Sequence, residues 1–126
     1  MIINQVTVSC TDYQASVAFY RKLGLTQIVD SPPRYARFET PGGSTLSIHE
    51  GDAGDANTVI YFEVDDVDAT VDGLLQQGLV FDAAPVDQPW LWREAHLRDP
   101  AGNCLCIYHA GENRRNPPWR MREEVG

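Results

Sequence analysis

The chain has 126 residues, enough for one domain with a real core, and a formal net charge of −8. That balance argues against nucleic acid and anionic membrane surfaces, both of which select basic patches, and no apolar run approaches the roughly 18 residues of a membrane span. The N-terminus lacks a basic stretch leading into a long apolar core. The cysteine count is odd, and Cys104 and Cys106 lie too close along one strand for an easy bridge, so a soluble domain in a reducing cytoplasm is expected.

In chain order, Ile2 to Ser9 alternates apolar and polar residues and predicts a strand, with Gln5, Thr7 and Ser9 on one face. Thr11 and Gln14 have the spacing of a capping box. Ala15, Ala18, Phe19 and Leu23 follow at helical spacing until Gly24 supplies a left-handed end. Thr26 to Asp30 predicts a short strand, broken by Ser31-Pro32-Pro33, and Arg34 to Thr40 with Ser44 to Glu50 predicts a hairpin. The polar, glycine-bearing stretch Gly51 to Asn57 reads as a linker.

The order then repeats. Thr58 to Val64 predicts a strand, and Asp65 or Asp66 starts a helix that carries Val67, Val71, Leu74 and Leu75 on one side and ends at Gly78. Leu79 to Val86 holds another strand, and Asp87 to Trp92 is a loop rich in aromatic surface. Arg93 to Arg98 and Cys104 to His109 close a second hairpin. The tail after Ala110 has no period and is expected on the surface, with Trp119 as an anchor or as part of a subunit contact.

Two offsets make the repeat explicit. Leu97 to His109 (LRDPAGNCLCIYH) overlays Phe38 to Glu50 (FETPGGSTLSIHE) 59 positions earlier, matching Pro100 to Pro41, Gly102 to Gly43, Leu105 to Leu46 and Ile107 to Ile48. Proline presets one turn position, and glycine or asparagine tolerates the positive φ that reverses the chain. At an offset of 54, Val6 to Leu25 overlays Ile60 to Leu79, with Asp12 on Asp66 and Gly24-Leu25 on Gly78-Leu79. Two equal units that each expose an apolar face must pack together or on something else. The reading is an α+β chain, 1–126 as one domain: a βαβββ module over about 2–50, a linker at 51–57, a second βαβββ module over about 58–109 and a tail at 110–126.

Two such modules, with the segments VTVSCTDYQASVAFYRKLGL and LRDPAGNCLCIY, resemble the vicinal oxygen chelate superfamily, which includes glyoxalase I, bleomycin-resistance proteins, fosfomycin-resistance enzymes and extradiol dioxygenases. The resemblance covers about residues 2–109. It implies a cup-shaped mixed sheet, frequent homodimers with the cup formed within one chain or between two, and metal ligands at four strand positions facing the cup. Carried over through the repeat, those positions fall on Gln5, Ser47, Val59 and Cys106. The family pattern there is His, Gln or Glu. A serine is a poor ligand and a valine none, whereas a catalytic Zn, Ni, Fe or Mn centre generally needs three good donors. No catalytic metal is therefore expected.

Side chains two apart on a strand share a face, so the cup wall also holds Thr7, Ser9, His49, Tyr61, Glu63, Cys104 and Tyr108. A displaced set drawn from Gln5, His49, Glu63 and Cys106 is the metal-binding alternative. His49 otherwise reads as a strand-end histidine, and Cys104 with Cys106 as inert packing. Glu63 is the best lone acid–base candidate, because burial beside Tyr61 would raise its pKa; otherwise it pairs with Arg37 or Arg93. No G-x-S-x-G elbow, H-E-x-x-H helix or phosphate-cradling glycine loop occurs. Trp90, Trp92, Tyr35, Tyr61 and Tyr108 line or lid a pocket, or Trp90 and Trp92 cover the open end of the core or a subunit contact.

In the bleomycin-resistance branch of the resembled family, metal ligands are absent and a cleft sequesters the drug. The expected function is accordingly binding of a small organic molecule at Gln5, Thr7, Ser47, His49, Tyr61, Glu63, Trp90, Trp92, Cys106 and Tyr108. The negative charge suits a cationic ligand. The alternatives are a metal-dependent glyoxalase-like lyase or isomerase, or a dioxygenase, and a dimeric scaffold with a filled cup.

Overall fold

The computed structural model describes residues 1–54 and 57–121, so Asp55 and Ala56 of the expected linker and positions 122–126 of the tail lie outside the described residues. The elements run β1 (Gln5–Cys10), α1 (Tyr13–Leu23), β2 (Thr26–Ser31), β3 (Tyr35–Glu39) and β4 (Thr45–Glu50). They continue as β5 (Val59–Glu63), α2 (Val67–Gln76), β6 (Val86–Asp87), β7 (Arg93–Arg98) and β8 (Cys104–His109), with a 3-10 turn at Gly111–Asn113. Two four-stranded mixed sheets result, ordered β1-β4-β3-β2 and β5-β8-β7-β6. In each, the first and last strands of the module pair in parallel and the hairpins pair antiparallel. These are tandem βαβββ modules.

Both helices start on an aspartate. Asp12 accepts from the Ala15 amide at 3.1 Å and Asp66 from the Ala69 amide at 3.0 Å. The capping box anticipated at Thr11 and Gln14 is not used. A carboxylate one residue later caps the Ala15 amide instead and adds charge at the positive end of the helix. Gly24, at φ 108°, then closes α1 with its amide donating back into the last turn.

Alternation on the inner strands buries Ala36, Phe38, Leu46 and Ile48 in the first module and Ala95, Leu97, Leu105 and Ile107 in the second. Tyr20 of α1 and Val67, Val71 and Leu74 of α2 join them in one continuous core that spans both modules. Leu75, expected on the apolar side of α2, is 48% exposed; its neighbour Leu74 turns inward instead. The strand anticipated over Leu79 to Val86 shrinks to a bridge from Phe81 to Leu97 and the two residues of β6. Pro85 has no amide to donate there, which limits the ladder. Trp119 lies 58% exposed.

The modules are joined at the turn between β7 and β8. The buried Asp99 carboxylate accepts from the Tyr20 hydroxyl at 2.6 Å, from the amides of Ala101 and Asn103 at 2.9 Å each, and from the Asn103 side chain at 2.8 Å. The same Asn103 amide group donates to the Ser9 carbonyl at 2.9 Å. One carboxylate therefore orders its own turn and holds the first module's helix against it.

Candidate functional site

Period-two alternation sends the residues between the core positions to the opposite face of each sheet. On the first sheet, Thr7 pairs with Ser47 and Ser47 with Arg37, while Ser9 pairs with His49 and His49 with Tyr35. On the second, Tyr61 pairs with Cys106 and Cys106 with His96, while Glu63 pairs with Tyr108 and Tyr108 with Glu94. These rungs form two half-cups with unlike chemistry.

The first half-cup is a polar network. The fully buried Ser47 hydroxyl accepts from the Gln5 side-chain amide at 3.0 Å and lies 2.6 Å from the Tyr35 hydroxyl. Arg37 donates to that phenol at 2.9 Å, with its guanidinium 5.4 Å from the Tyr35 ring centre. Gln5 uses its carbonyl oxygen to accept from Thr45 at 2.6 Å. The hydrogen bond with Ser47, helped by Arg37 and Gln5 and opposed by burial, holds the Tyr35 phenol below its ordinary pKa. His49 is exposed at the strand end, with Nδ1 2.8 Å from the Glu50 carbonyl, and Thr7 is exposed on the rung of Ser47.

The second half-cup is aromatic and acidic. Trp92 stacks on Tyr108 at 4.8 Å between ring centres, and Tyr61 meets both edge-on at 5.8 and 5.4 Å. The Trp92 indole donates to the Asn113 carbonyl at 3.2 Å, so the 3-10 turn pins this cluster. Beside it the Glu94 carboxylate is 4% exposed. It accepts from the Trp90 indole at 2.6 Å and lies 2.9 Å from His96 Nε2. Leu91, between the two tryptophans, adopts a left-handed φ of 70°, a strain of about 1 kcal/mol held by the loop around it. Burial, with Glu94 nearby, pushes the Cys106 thiol up to about 12, and burial likewise raises Tyr61 and Tyr108.

Glu63 is not the raised-pKa acid that the sequence suggested. Burial pushes it up, but its Oε2 accepts from the Ala110 and Gly111 amides at 2.8 and 3.0 Å. Together with His109 and Arg114, these bring it below the usual carboxylate range. Neither arginine anticipated for it is its partner: Arg37 serves Tyr35, and Arg93 bridges Asp68 at 2.8 Å and Asp87 at 3.0 Å.

The four positions where the resemblance puts metal ligands do not fit a catalytic cation. Gln5 and Ser47 bond to each other and to Thr45 and Tyr35, so the Gln5 oxygen is already occupied; Val59 has no donor atom, which leaves Cys106. Nor does the structure gather the displaced set. His49 sits on the first sheet, while Glu63 and Cys106 lie on different rungs of the second. Among the described residues, the group of three His, Cys, Asp or Glu side chains that does converge is Glu94, His96 and Cys106, with ligand atoms within 4.8 Å of one another. Glu94, His96 and Arg37 are not among the site residues expected from the sequence. The signal was the D-P-x-G-N turn: once Asp99 and Asn103 close it, His96 falls opposite Cys106 and Glu94 opposite Tyr108.

A separate cleft of about 540 Å³ opens between the modules on the helix side, walled by Val6, Leu25, Leu46, Ile60, Phe62 and Leu74. It shares Tyr61 and Glu63 at its edge with the second half-cup.

Comparison with known proteins agrees with this architecture. Residues 2–107 match the profile of the Glyoxalase/Bleomycin resistance protein/Dioxygenase superfamily. The chain is 32% identical to the YraH protein of Bacillus subtilis (strain 168), over 86% of this chain and 98% of that one. Among solved structures, a glyoxalase/bleomycin resistance protein/dioxygenase family enzyme from Burkholderia phytofirmans PsJN superposes with a TM-score of 0.73 at 23% identity, over 87% of this chain and 99% of that one. A lactoylglutathione lyase from Agrobacterium tumefaciens gives 0.72 at 20% identity, over 95% and 97%. With its modules, its profile match and these relatives in agreement, the chain belongs to the glyoxalase/bleomycin resistance/dioxygenase superfamily.

Proposed function

We propose that this protein binds a small organic molecule at its half-cups, in the manner of a bleomycin-resistance-type binder, without the usual catalytic metal ligands, and that it does so as a cytoplasmic homodimer. The observation that carries this reading is the Tyr61–Trp92–Tyr108 cluster beside the buried Glu94 carboxylate. Aromatic faces next to a fixed negative charge favour a planar or cationic ligand through stacking and cation–π attraction. Gln5, Thr7, Ser47 and Arg37 supply a polar wall, and Trp90, Cys106, His49 and Glu63 complete the proposed lining.

The test is a thermal-shift screen of the chelator-treated protein against aromatic and cationic small molecules, followed by calorimetry on the hits. Trp92→Ala and Gln5→Ala should each weaken binding, Trp92→Ala by roughly tenfold or more, since one aromatic contact contributes about 1.4 kcal/mol or more. Unchanged affinity in both variants removes these half-cups from the binding site. The second reading, a metal-dependent lyase, isomerase or dioxygenase, has its own observation in the convergence of Glu94, His96 and Cys106.

A further inference from the structure

We propose that Glu94, His96 and Cys106 form a site for one divalent cation of borderline softness, with zinc as the best match, on the floor of the second half-cup. The site is distinct from the four positions that the family resemblance marks, sharing only Cys106 with them, and it stands whatever organic molecule the cup takes.

The strands themselves produce the convergence. Glu94 and His96 are two apart on β7 and so share a face, and Cys106 on β8 is the register partner of His96. Their ligand atoms lie within 4.8 Å of one another, and Glu94 Oε1 is 2.9 Å from His96 Nε2. A tetrahedral zinc with bonds near 2.0–2.3 Å needs donors about 3.4–3.6 Å apart. Sub-ångström to ångström side-chain adjustments therefore bring all three into range without moving a strand.

The chemistry selects the cation. One carboxylate oxygen, one imidazole nitrogen and one sulfur form a mixed set that suits zinc, cobalt or nickel and disfavours magnesium and calcium, which take oxygen ligands. Uptake replaces the thiol proton: Cys106–SH and the cation give a Cys106–S–metal bond and one proton released to solvent. Glu94 and the Cys106 thiolate then balance the two positive charges, so the buried site ends neutral.

Two further features belong to a built site. The Trp90 indole donates to the other Glu94 oxygen at 2.6 Å, an outer contact of the kind that orients a ligating carboxylate. The His96 side chain is 39% exposed, whereas that of Glu94 is 3% exposed, so one side of the group faces solvent. A fourth ligand, water or an oxygen of the organic ligand, would enter from the side that His96 exposes.

Cobalt reports on this site directly, because a thiolate bound to Co²⁺ gives a charge-transfer band in the near ultraviolet that oxygen and nitrogen ligands do not. The full chain, stripped with chelator, is titrated with Co²⁺ and then challenged with Zn²⁺ and with excess Mg²⁺. The expected result is one Co²⁺ per chain with the thiolate band, displaced by Zn²⁺ and untouched by Mg²⁺. Cys106→Ser should abolish the band, His96→Gln should weaken binding roughly tenfold or more, and Cys104→Ser and His49→Ala should leave both intact. Saturation of the wild-type chain without the band, a band that survives Cys106→Ser or vanishes in Cys104→Ser, or unchanged affinity in His96→Gln overturns the site. The wild-type spectrum and His96→Gln decide the matter even if Cys106→Ser fails to fold. The organic-ligand screen uses metal-free protein, so either reading can fail alone.

Discussion

The two half-cups share one topology and hold opposite contents. Toward the core, equivalent positions keep their character: Leu46 and Leu105, Ile48 and Ile107, and Ala36 and Ala95 are identical pairs, and Phe38 becomes Leu97, all buried. Toward the cup, Thr7–Ser47–Arg37 becomes Tyr61–Cys106–His96, and Ser9–His49–Tyr35 becomes Glu63–Tyr108–Glu94. A core position must fill a fixed volume against a helix, so few side chains serve there. A cup position is not packed against a helix, so its chemistry differs between the modules even where, as at Ser47, Glu94, Cys106 and Tyr108, the residue is buried. The repeat therefore gives one polar, arginine-bearing wall and one aromatic, acidic wall.

The sharpest contrast lies in the turns. Asp99 collects four hydrogen bonds, including one from the other module, whereas its counterpart Thr40 donates only to the carbonyl of Ser44, at 3.2 Å, within its own turn. Asp99→Ala strands four buried donors and should cost about 3 kcal/mol or more. Thr40→Ala should cost at most about 0.5 kcal/mol. Urea unfolding of both variants measures the difference, and equal costs would mean that the second turn does not join the modules.

Within the first half-cup, Ser47→Ala removes the hydroxyl shared by Gln5 and Tyr35 and should destabilise by about 1–2 kcal/mol, read by the same unfolding midpoint. A cost near zero would make this wall a loose polar surface rather than a connected network.

The sequence carried the chain order of most elements, the two-module plan and much of the core because those follow from periodicity and from the glycine and proline positions. Leu46, Ile48, Leu105 and Ile107 could be placed by alternation alone. What it did not carry was which cup residues touch. Glu63 lies beside Tyr61 in sequence, but its pKa is set by the amides of Ala110 and Gly111, nearly fifty positions away and in a segment without period. Arg93 likewise turns to Asp68 at the start of α2, a contact that exists only once helix and sheet have packed. The pairing of His96 with Cys106 was legible in principle, since a tight turn fixes hairpin register. The bond from Trp90 to Glu94 was not, because it depends on an irregular loop and the left-handed Leu91.

The tyrosines give a smaller but cleaner test of the same contrast. The polar wall holds Tyr35 below the ordinary phenol value, while burial raises Tyr13, Tyr20, Tyr61 and Tyr108. A phenolate absorbance titration should show one tyrosine ionising below about 10 and the remainder above it, with the early step missing in Tyr35→Phe. The stability consequences have opposite signs. A raised phenol contributes below its unfolded value and loses that contribution as pH rises through its folded value. The lowered Tyr35 contributes above its unfolded value and loses that contribution as pH falls. Alkaline unfolding should therefore follow the four raised phenols, and a Tyr35 that titrates with the others would erase the difference between the walls.

The smallest effect expected is at the rim of the aromatic wall. Glu63 stands where the first module has the uncharged Ser9, so a lowered carboxylate at this position belongs to the second module alone. Its folded pKa is lowered, so its contribution is complete above the ordinary carboxyl value of about 4.3 and disappears as pH falls through the folded value. With the side chain 35% exposed, solvent screens the ion pairs, and Glu63→Gln should cost less than about 1 kcal/mol at neutral pH. At a pH below the folded value the variant and the wild type should unfold at the same urea concentration, because Glu63 is then itself neutral. A gap between them that stays constant across that range would show that the carbonyl oxygen of glutamine cannot take over the two amide hydrogen bonds, and that packing of Gly111–Asn113 rather than charge sets the contribution of this residue.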